Sequence, residues 1–409
     1  MTSIDQLFRH ASLPDHAGPM DIAVSRGRIM AIERRIVADA PVVDLEGRAV
    51  IPGFVDTHIH LDKACLLGRC AHIHGGLDVA IRAVSQMKRD FTVEDVYARG
   101  AGVLEKAIQH GTTRMRTHVE VDPRAGLRSF EAVMALKRDY AWAIDLSICV
   151  FPQEGLTNDP GAEELLVEAL EKGADLLGGC PYTDSDPDAQ MTRLFDLARR
   201  FDVDLDFHLD FDLDPGWMHL PTICRLTEQQ GWQGRVAVGH VTKLSMLPEA
   251  ERAAIAKRMA DCGVALTVLP ATDLYLARPS GSHAAPRGLA PAHSLVDHGV
   301  VCSIATNNVL NPFTPFGDVS LLRMANFYAN IAQVPPSRFG RCIDMVTSLP
   351  ARLMNLADYG VEVGKPADLV VLDAPDLTTA LAEIAPALMG FRRGRMTFER
   401  KRPQLHRPA

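Results

Sequence analysis

Short apolar runs recur along the chain, separated by longer stretches whose apolar residues fall three and four positions apart. Runs of strand length occupy 49–60 (AVIPGFVDTHIH), 113–121 (TRMRTHVEV), 144–152 (IDLSICVFP), 174–181 (ADLLGGCP), 202–210 (DVDLDFHLD), 235–241 (RVAVGHV), 263–270 (GVALTVLP) and 299–308 (GVVCSIATNN). Between them, 92–111, 162–173 and 247–263 carry the helical period. Thr92 followed by Asp95 resembles a capping box, with Asp in place of the usual Glu or Gln. Gly111, Gly173 and Gly263 stand where helices end. Eight strands alternating with helices over about 260 residues predict an α/β fold, a parallel sheet closed into a (β/α)8 TIM-like barrel. A doubly wound open sheet alternates in the same way, and the pattern alone does not choose. No glycine-rich phosphate loop follows the first strand, which counts against a nucleotide-binding version.

The two ends read differently. Residues 18–50, 361–375 and 391–399 are short strands broken by Arg-Gly and Glu-Gly turns. Each end is too small to bury a core alone, so the two are expected to pair into one small β-sandwich domain. The expected division is 1–50 for the first part of that domain, 51–355 for the barrel, and 356–409 for the second part plus a solvated basic tail.

Composition narrows the function. The 409 residues are 47% hydrophobic and 23% charged, the balance of a chain with a large core. With 43 Lys+Arg against 51 Asp+Glu the net charge is −8, so no nucleic-acid partner is expected, because phosphate binding calls for a basic surface. No apolar run is long enough to cross a bilayer, so no membrane partner is expected. The N-terminal residues lack a signal layout, and the eight cysteines are scattered with no CxxC; both suit a reduced, cytoplasmic protein. A homo-oligomer stays open.

The candidate chemistry lies in histidines. His58 and His60 sit at i and i+2 at the end of the first barrel strand, on one face, where two imidazoles can meet one cation. His118, His208 and His240 end the second, fifth and sixth strands. Five histidines from four strand ends directed at one rim predict a shared metal site, on the face where barrel enzymes keep their active sites. The other pair, His72 and His74, follows no strand-like run and reads as loop.

The stretches PGFVDTHIHLDKA (52–64), RTHVEVD (116–122), VFPQEG (150–155), GADLLGG (173–179), DFHLD (206–210), GHVTKL (239–244), NNVLNPFTPFG (307–317) and GVEVGKPADLVVLD (360–373) resemble, in order, the amidohydrolase superfamily. Within it they are most similar to the bacterial cytosine deaminase branch and to the triazine-degrading isopropylammelide hydrolases. The resemblance implies one divalent metal ion, Zn or Fe, held by His58, His60 and His208. It places His240 on the attacking water or the tetrahedral centre, and Gln153 against a small heterocyclic substrate, with His118 and Phe211 also expected to face that substrate. The chemistry would be attack of activated water on an sp² carbon bearing a nitrogen leaving group. A carboxylate normally takes the water's proton and a second acid/base group protonates the amine.

The chain departs from that pattern twice. Asn307 stands where the resemblance calls for an aspartate, and Phe211 stands where it calls for a glutamate three residues beyond His208. Asp210, Asp212 and Asp214 are the substitute acids at hand, Asp210 sharing the histidine's face only if the strand runs on regularly. Other accounts are an Asn307 introduced to trap a complex, and a protein that has lost catalysis and kept binding. Asp62 and Lys63 are expected to shape their loop through a salt bridge, and Asp273 and Arg278 to sit on the rim. The leading expectation is a cytosine deaminase-like hydrolase of a C–N bond in a small nitrogen heterocycle, with His240, Asn307 and Asp210 as catalytic candidates. The alternatives are a cyclic-amide hydrolase or a catalytically impaired ligand-binding homologue. No lysine lies in 174–184 to bridge two metals, which disfavours a two-metal site.

Overall fold

The structure, a computed structural model, describes residues 3–70, 75–277, 283 and 285–407; His72, His74 and Arg278 lie outside the described residues. Its strands are β1 (Gln6–Ala11), β2 (Met20–Ser25), β3 (Arg28–Glu33), β4 (Val42–Asp44), β5 (Val50–Ile51), β6 (Phe54–Ile59), β7 (Thr112–Glu120), β8 (Asp145–Phe151), β9 (Leu176–Gly179), β10 (Asp204–Leu209), β11 (Val236–His240), β12 (Val264–Val268), β13 (Cys302–Ile304), β14 (Leu369–Leu372), β15 (Ala387–Arg392) and β16 (Arg395–Glu399).

Strands β6 to β13 form one parallel sheet in sequence order. The sheet closes through Asn307, whose N–H donates to the His58 carbonyl at 2.8 Å while its own carbonyl accepts the His60 N–H at 3.1 Å. All eight sequence runs enter this barrel. Parallel strands covered on both faces read as continuous apolar runs, and every residue of β6 and β7 is buried. Helices follow the strands and cover the outside; Val93–Gln109 buries Val96, Gly100, Val103, Leu104, Ala107 and Ile108, the three-and-four spacing of one face. Its first turn is capped as expected, Thr92 Oγ1 accepting the Asp95 N–H at 3.2 Å.

The run 49–60 is not one strand. Pro52 cannot donate to a ladder, and Gly53 has φ +89, with a Cβ there falling 2.3 Å from Thr113 Oγ1. The chain therefore turns, sending Val50–Ile51 into a different sheet and Phe54–Ile59 into the barrel. Outside the barrel lie two four-stranded sheets, ordered β3-β2-β1-β4 and β16-β15-β14-β5. The second joins the two ends of the chain, because β5 pairs antiparallel with β14. Between the sheets Phe8, Ile22 and Val24 meet Leu369, Val371 and Phe391. The alternate residues Val370 and Leu372 face the barrel core instead, so β14 is apolar throughout.

Candidate metal centre and active site

Strands β6 and β10 deliver three imidazoles to the same point at the carboxyl end of the barrel. Nε2 of His208 lies 3.1 Å from Nε2 of His58 and 3.2 Å from Nε2 of His60. His60 Nδ1 donates to the His118 carbonyl at 3.2 Å, so its Nε2 carries a lone pair. Burial first, and then the crowding of the imidazoles against one another and, at His60 and His208, the Lys63 ammonium, hold His58, His60 and His208 well below the ordinary imidazole range. One proton can bridge one of these nitrogen pairs but not both. Three neutral rings aiming Nε2 inward form a donor set for a divalent cation, since tetrahedral ligands at about 2.0–2.1 Å stand roughly 3.3 Å from one another. Gly239 is part of the arrangement: a Cβ on it would lie 3.2 Å from Cε1 and Nδ1 of His58.

Two other donor sets come within the same reach, and each already holds a cationic side chain. In His58, His118 and Asp206, the Asp206 carboxylate accepts from Arg116 at 2.7 Å. In Glu120, Asp122 and Glu154, the Lys88 ammonium lies 2.5–2.7 Å from all three carboxylates. Among the described residues only the set of His58, His60 and His208 lacks such a counter-charge.

His118 is not where a substrate contact would be. Its ring stacks on His58 at 3.7 Å and its Nε2 lies 3.6 Å from Asp206, behind the cluster rather than on a cavity wall. The cavity above the cluster is lined by His60, His208, His240, Asn307, Gln153 and Phe211, together with Lys63 and Phe313. Gln153 Oε1 accepts from Lys63 Nζ at 3.2 Å, which leaves its Nε2, set against the weak acceptor Cys180 Sγ at 3.3 Å, free for a ligand. Lys63 does not pair with Asp62. Its Nζ donates to Glu120 at 2.6 Å and sits 4.4 Å from the centre of the Phe313 ring, while the Asp62 carboxylate accepts the backbone N–H groups of Lys63 and Glu120. The place of Lys63 on the wall is a feature the sequence reading did not assign.

Asp210 is corrected as a proton-transfer candidate. Strand β10 ends at Leu209, Asp210 takes φ +48, and its carboxylate accepts the N–H groups of His219 and Leu220 at 2.8 and 3.1 Å, capping helix Leu220–Gln230. Asp212 and Asp214 close turns of the same loop, accepting from the Asp214 and Gly216 N–H groups. Asp273 is corrected too. It is fully buried rather than on the rim, and accepts from His240 Nδ1 at 2.6 Å. Burial pushes its carboxyl up, against the pull of His240. The available signal was its position in the first turn after β12, beside the strand that ends in His240.

The Asn307 amide is oriented by a chain of neighbours. Asn311 Oδ1 accepts the N–H groups of Phe313 and Thr314, so Asn311 Nδ2 donates to Asn308 Oδ1 at 2.8 Å. Asn308 Nδ2 then donates to Asn307 Oδ1 at 3.0 Å, and Asn307 Nδ2 is left buried without a partner. Its oxygen is thus engaged by Asn308.

A histidine cluster able to hold a cation at the carboxyl mouth of a (β/α)8 barrel, beside a cavity, is the arrangement of a hydrolase-type barrel. The chain belongs to the amidohydrolase family, whose sequence profile matches residues 41–133 and 136–398. It is 28% identical over 403 residues to N-isopropylammelide isopropyl amidohydrolase of Pseudomonas sp. (strain ADP), covering 96% of each chain. It is 30% identical over 362 residues to a pterin deaminase of Rhizobium rhizogenes, covering 87% of this chain and 82% of that one. Among solved structures it resembles 5-methylcytosine deaminase from Klebsiella pneumoniae liganded with 5-fluorocytosine, with a TM-score of 0.93 at 28% identity over 98% of this chain and 99% of that one.

Proposed function

We propose that this chain hydrolyses a C–N bond of a small nitrogen heterocycle, with one divalent cation, zinc or iron, held by His58, His60 and His208. The observation that carries this reading is the convergence of three Nε2 atoms beneath a cavity whose wall also presents amide, ammonium and aromatic groups. The names of the similar proteins point the same way, to ammelide, pterin and 5-methylcytosine.

When bound, the cation would acidify water and stabilise negative charge on oxygen. Gln153 Nε2 and Lys63 Nζ supply donors for the ring's acceptor atoms, and Phe211 and Phe313 provide its apolar walls. Asn307 Nδ2 supplies a buried donor for the atom that gains charge as the carbon becomes tetrahedral. His240 accepts the water's proton.

The test is release of ammonia or alkylamine by metal-loaded protein across cytosines, pterins, N-alkylated triazines and cyclic amides. Turnover of an amine-bearing heterocycle, abolished in His60→Ala, is the expected result. No turnover by protein with its metal bound would overturn it, and ring opening without amine release would point to a cyclic-amide hydrolase. Binding without turnover has its own supporting observation, the replacement of both expected acids by Phe211 and Asn307. Calorimetric binding of a heterocycle with no product would establish that reading instead.

A further inference from the structure

The cavity wall presents no carboxylate among the described residues. Its titratable side chains are His60, His208, Lys63, Tyr182 and His240. The first two aim their inner nitrogens at the cation site. Lys63 is an ammonium engaged by Glu120 and Gln153. Tyr182 is a phenol that burial pushes far from ionising. His240 remains, and Asp273 decides its state. A carboxylate only accepts, so the 2.6 Å contact puts a proton on His240 Nδ1, and in the neutral imidazole the lone pair is then on Nε2. The second Asp273 oxygen accepts the Leu269 N–H at 3.0 Å, so the carboxylate cannot swing away without stranding a buried donor. Phe211, with its ring centre 4.3 Å from that of His240, packs against the imidazole edge to face.

We propose that Asp273 is a positioning residue that locks His240 into the Nδ1–H form, making His240 Nε2 the single proton carrier of this site, in place of the two acids absent at 211 and 307. The inference rests on the hydrolase reading above. One O–H bond of water breaks and its proton goes to Nε2, while the oxygen bonds the sp² carbon and the ring C=N electron pair moves onto the ring nitrogen. Nε2 then returns that proton to the exocyclic amine. The ring nitrogen's pair re-forms C=N, the exocyclic C–N bond breaks with its electrons on the departing nitrogen, and a hydroxy-heterocycle and a neutral amine result. Asn307 gives a hydrogen bond in this sequence and transfers no proton.

The test is Asp273→Asn. The Leu269 N–H retains the amide oxygen, which turns the amide NH₂ toward His240 Nδ1 and forces the imidazole proton onto Nε2, where it blocks the base. In zinc-loaded protein labelled with ¹⁵N-histidine, with the His240 signal assigned through His240→Gln, the wild type is expected in the Nδ1–H form and Asp273→Asn in the Nε2–H form. On whichever heterocycle the panel finds to be turned over, kcat is expected to fall about 10²–10⁴-fold with KM unchanged. A wild-type His240 carrying its proton on Nε2 would overturn the proposal even if the variant fails to fold, as would an Asp273→Asn protein with unchanged kcat. A tautomer switch in a protein that turns over nothing would instead sink the hydrolase reading and leave the pairing standing.

Discussion

Asn307 meets the cavity as a donor because its oxygen is already taken by Asn308, and that orientation is passed down from two backbone N–H groups held by Asn311. An amide so placed can donate to an atom that gains charge during the reaction and cannot serve as a base. Asn307→Ala should therefore lower kcat about 10²–10³-fold, the range for losing one such donor, while bound metal stays at wild-type stoichiometry by mass spectrometry. Loss of the metal together with the rate would instead make Asn307 a ligand. The histidines were legible because a period of two puts His58 and His60 on one face, and strand ends supply the rest. Asp210 was misread because the same period was extended one residue past the strand, to a left-handed φ of +48 that turns the carboxylate onto a helix. The partnership of His240 with Asp273 spans 33 positions and had no local signature beyond an acid following the neighbouring strand.

Helices around the barrel are fastened at their first turns, and two of these fastenings bear on the site. Asp210 caps helix Leu220–Gln230 from the residue that follows the metal-site strand. Asp210→Ala should cost about 0.5–2 kcal/mol of stability in denaturant titration with metal content and kcat close to wild type; a collapse of kcat with stability intact would restore Asp210 as an acid or base. At helix Val93–Gln109, Asp95 accepts from Arg69 and Arg99, and Arg99 in turn donates to the Asp62 and Ala64 carbonyls on either side of Lys63. The Arg69 hydrogen bond, helped by Arg99 against partial burial, holds the Asp95 carboxyl at about 2, below its ordinary 3.8. A carboxyl lowered on folding stabilises above its unfolded pKa and loses that contribution as pH falls through the folded one. The stability difference between wild type and Asp95→Asn should accordingly be full above pH ~4 and fade toward pH ~2, as read from urea midpoints across that range. A gap that does not vary with pH would assign the effect to packing.

Across the molecule, alternation of strand-length and helix-length apolar runs carried the barrel, and short strands at both ends carried the pairing of the termini. Closure was not legible. It depends on Asn307 exchanging backbone hydrogen bonds with His58 and His60 across a separation of about 250 positions, a register that no periodicity records. That same closure sets the amide donor beside the imidazoles, so barrel and site are one construction. Likewise the split at Pro52 and Gly53 sends one short run into two sheets, tying the terminal sheets to the wall of the barrel beneath the metal strand.

The claim beneath the rest is that His58, His60 and His208 hold one cation. X-ray absorption at the zinc edge on protein loaded with a single equivalent reads the coordination directly. Three nitrogen ligands at about 2.0–2.1 Å are expected in the wild type, and a lower nitrogen count, or no retained zinc, in His60→Ala. Zinc bound mainly by oxygen, or an identical spectrum from His60→Ala, would contradict the claim.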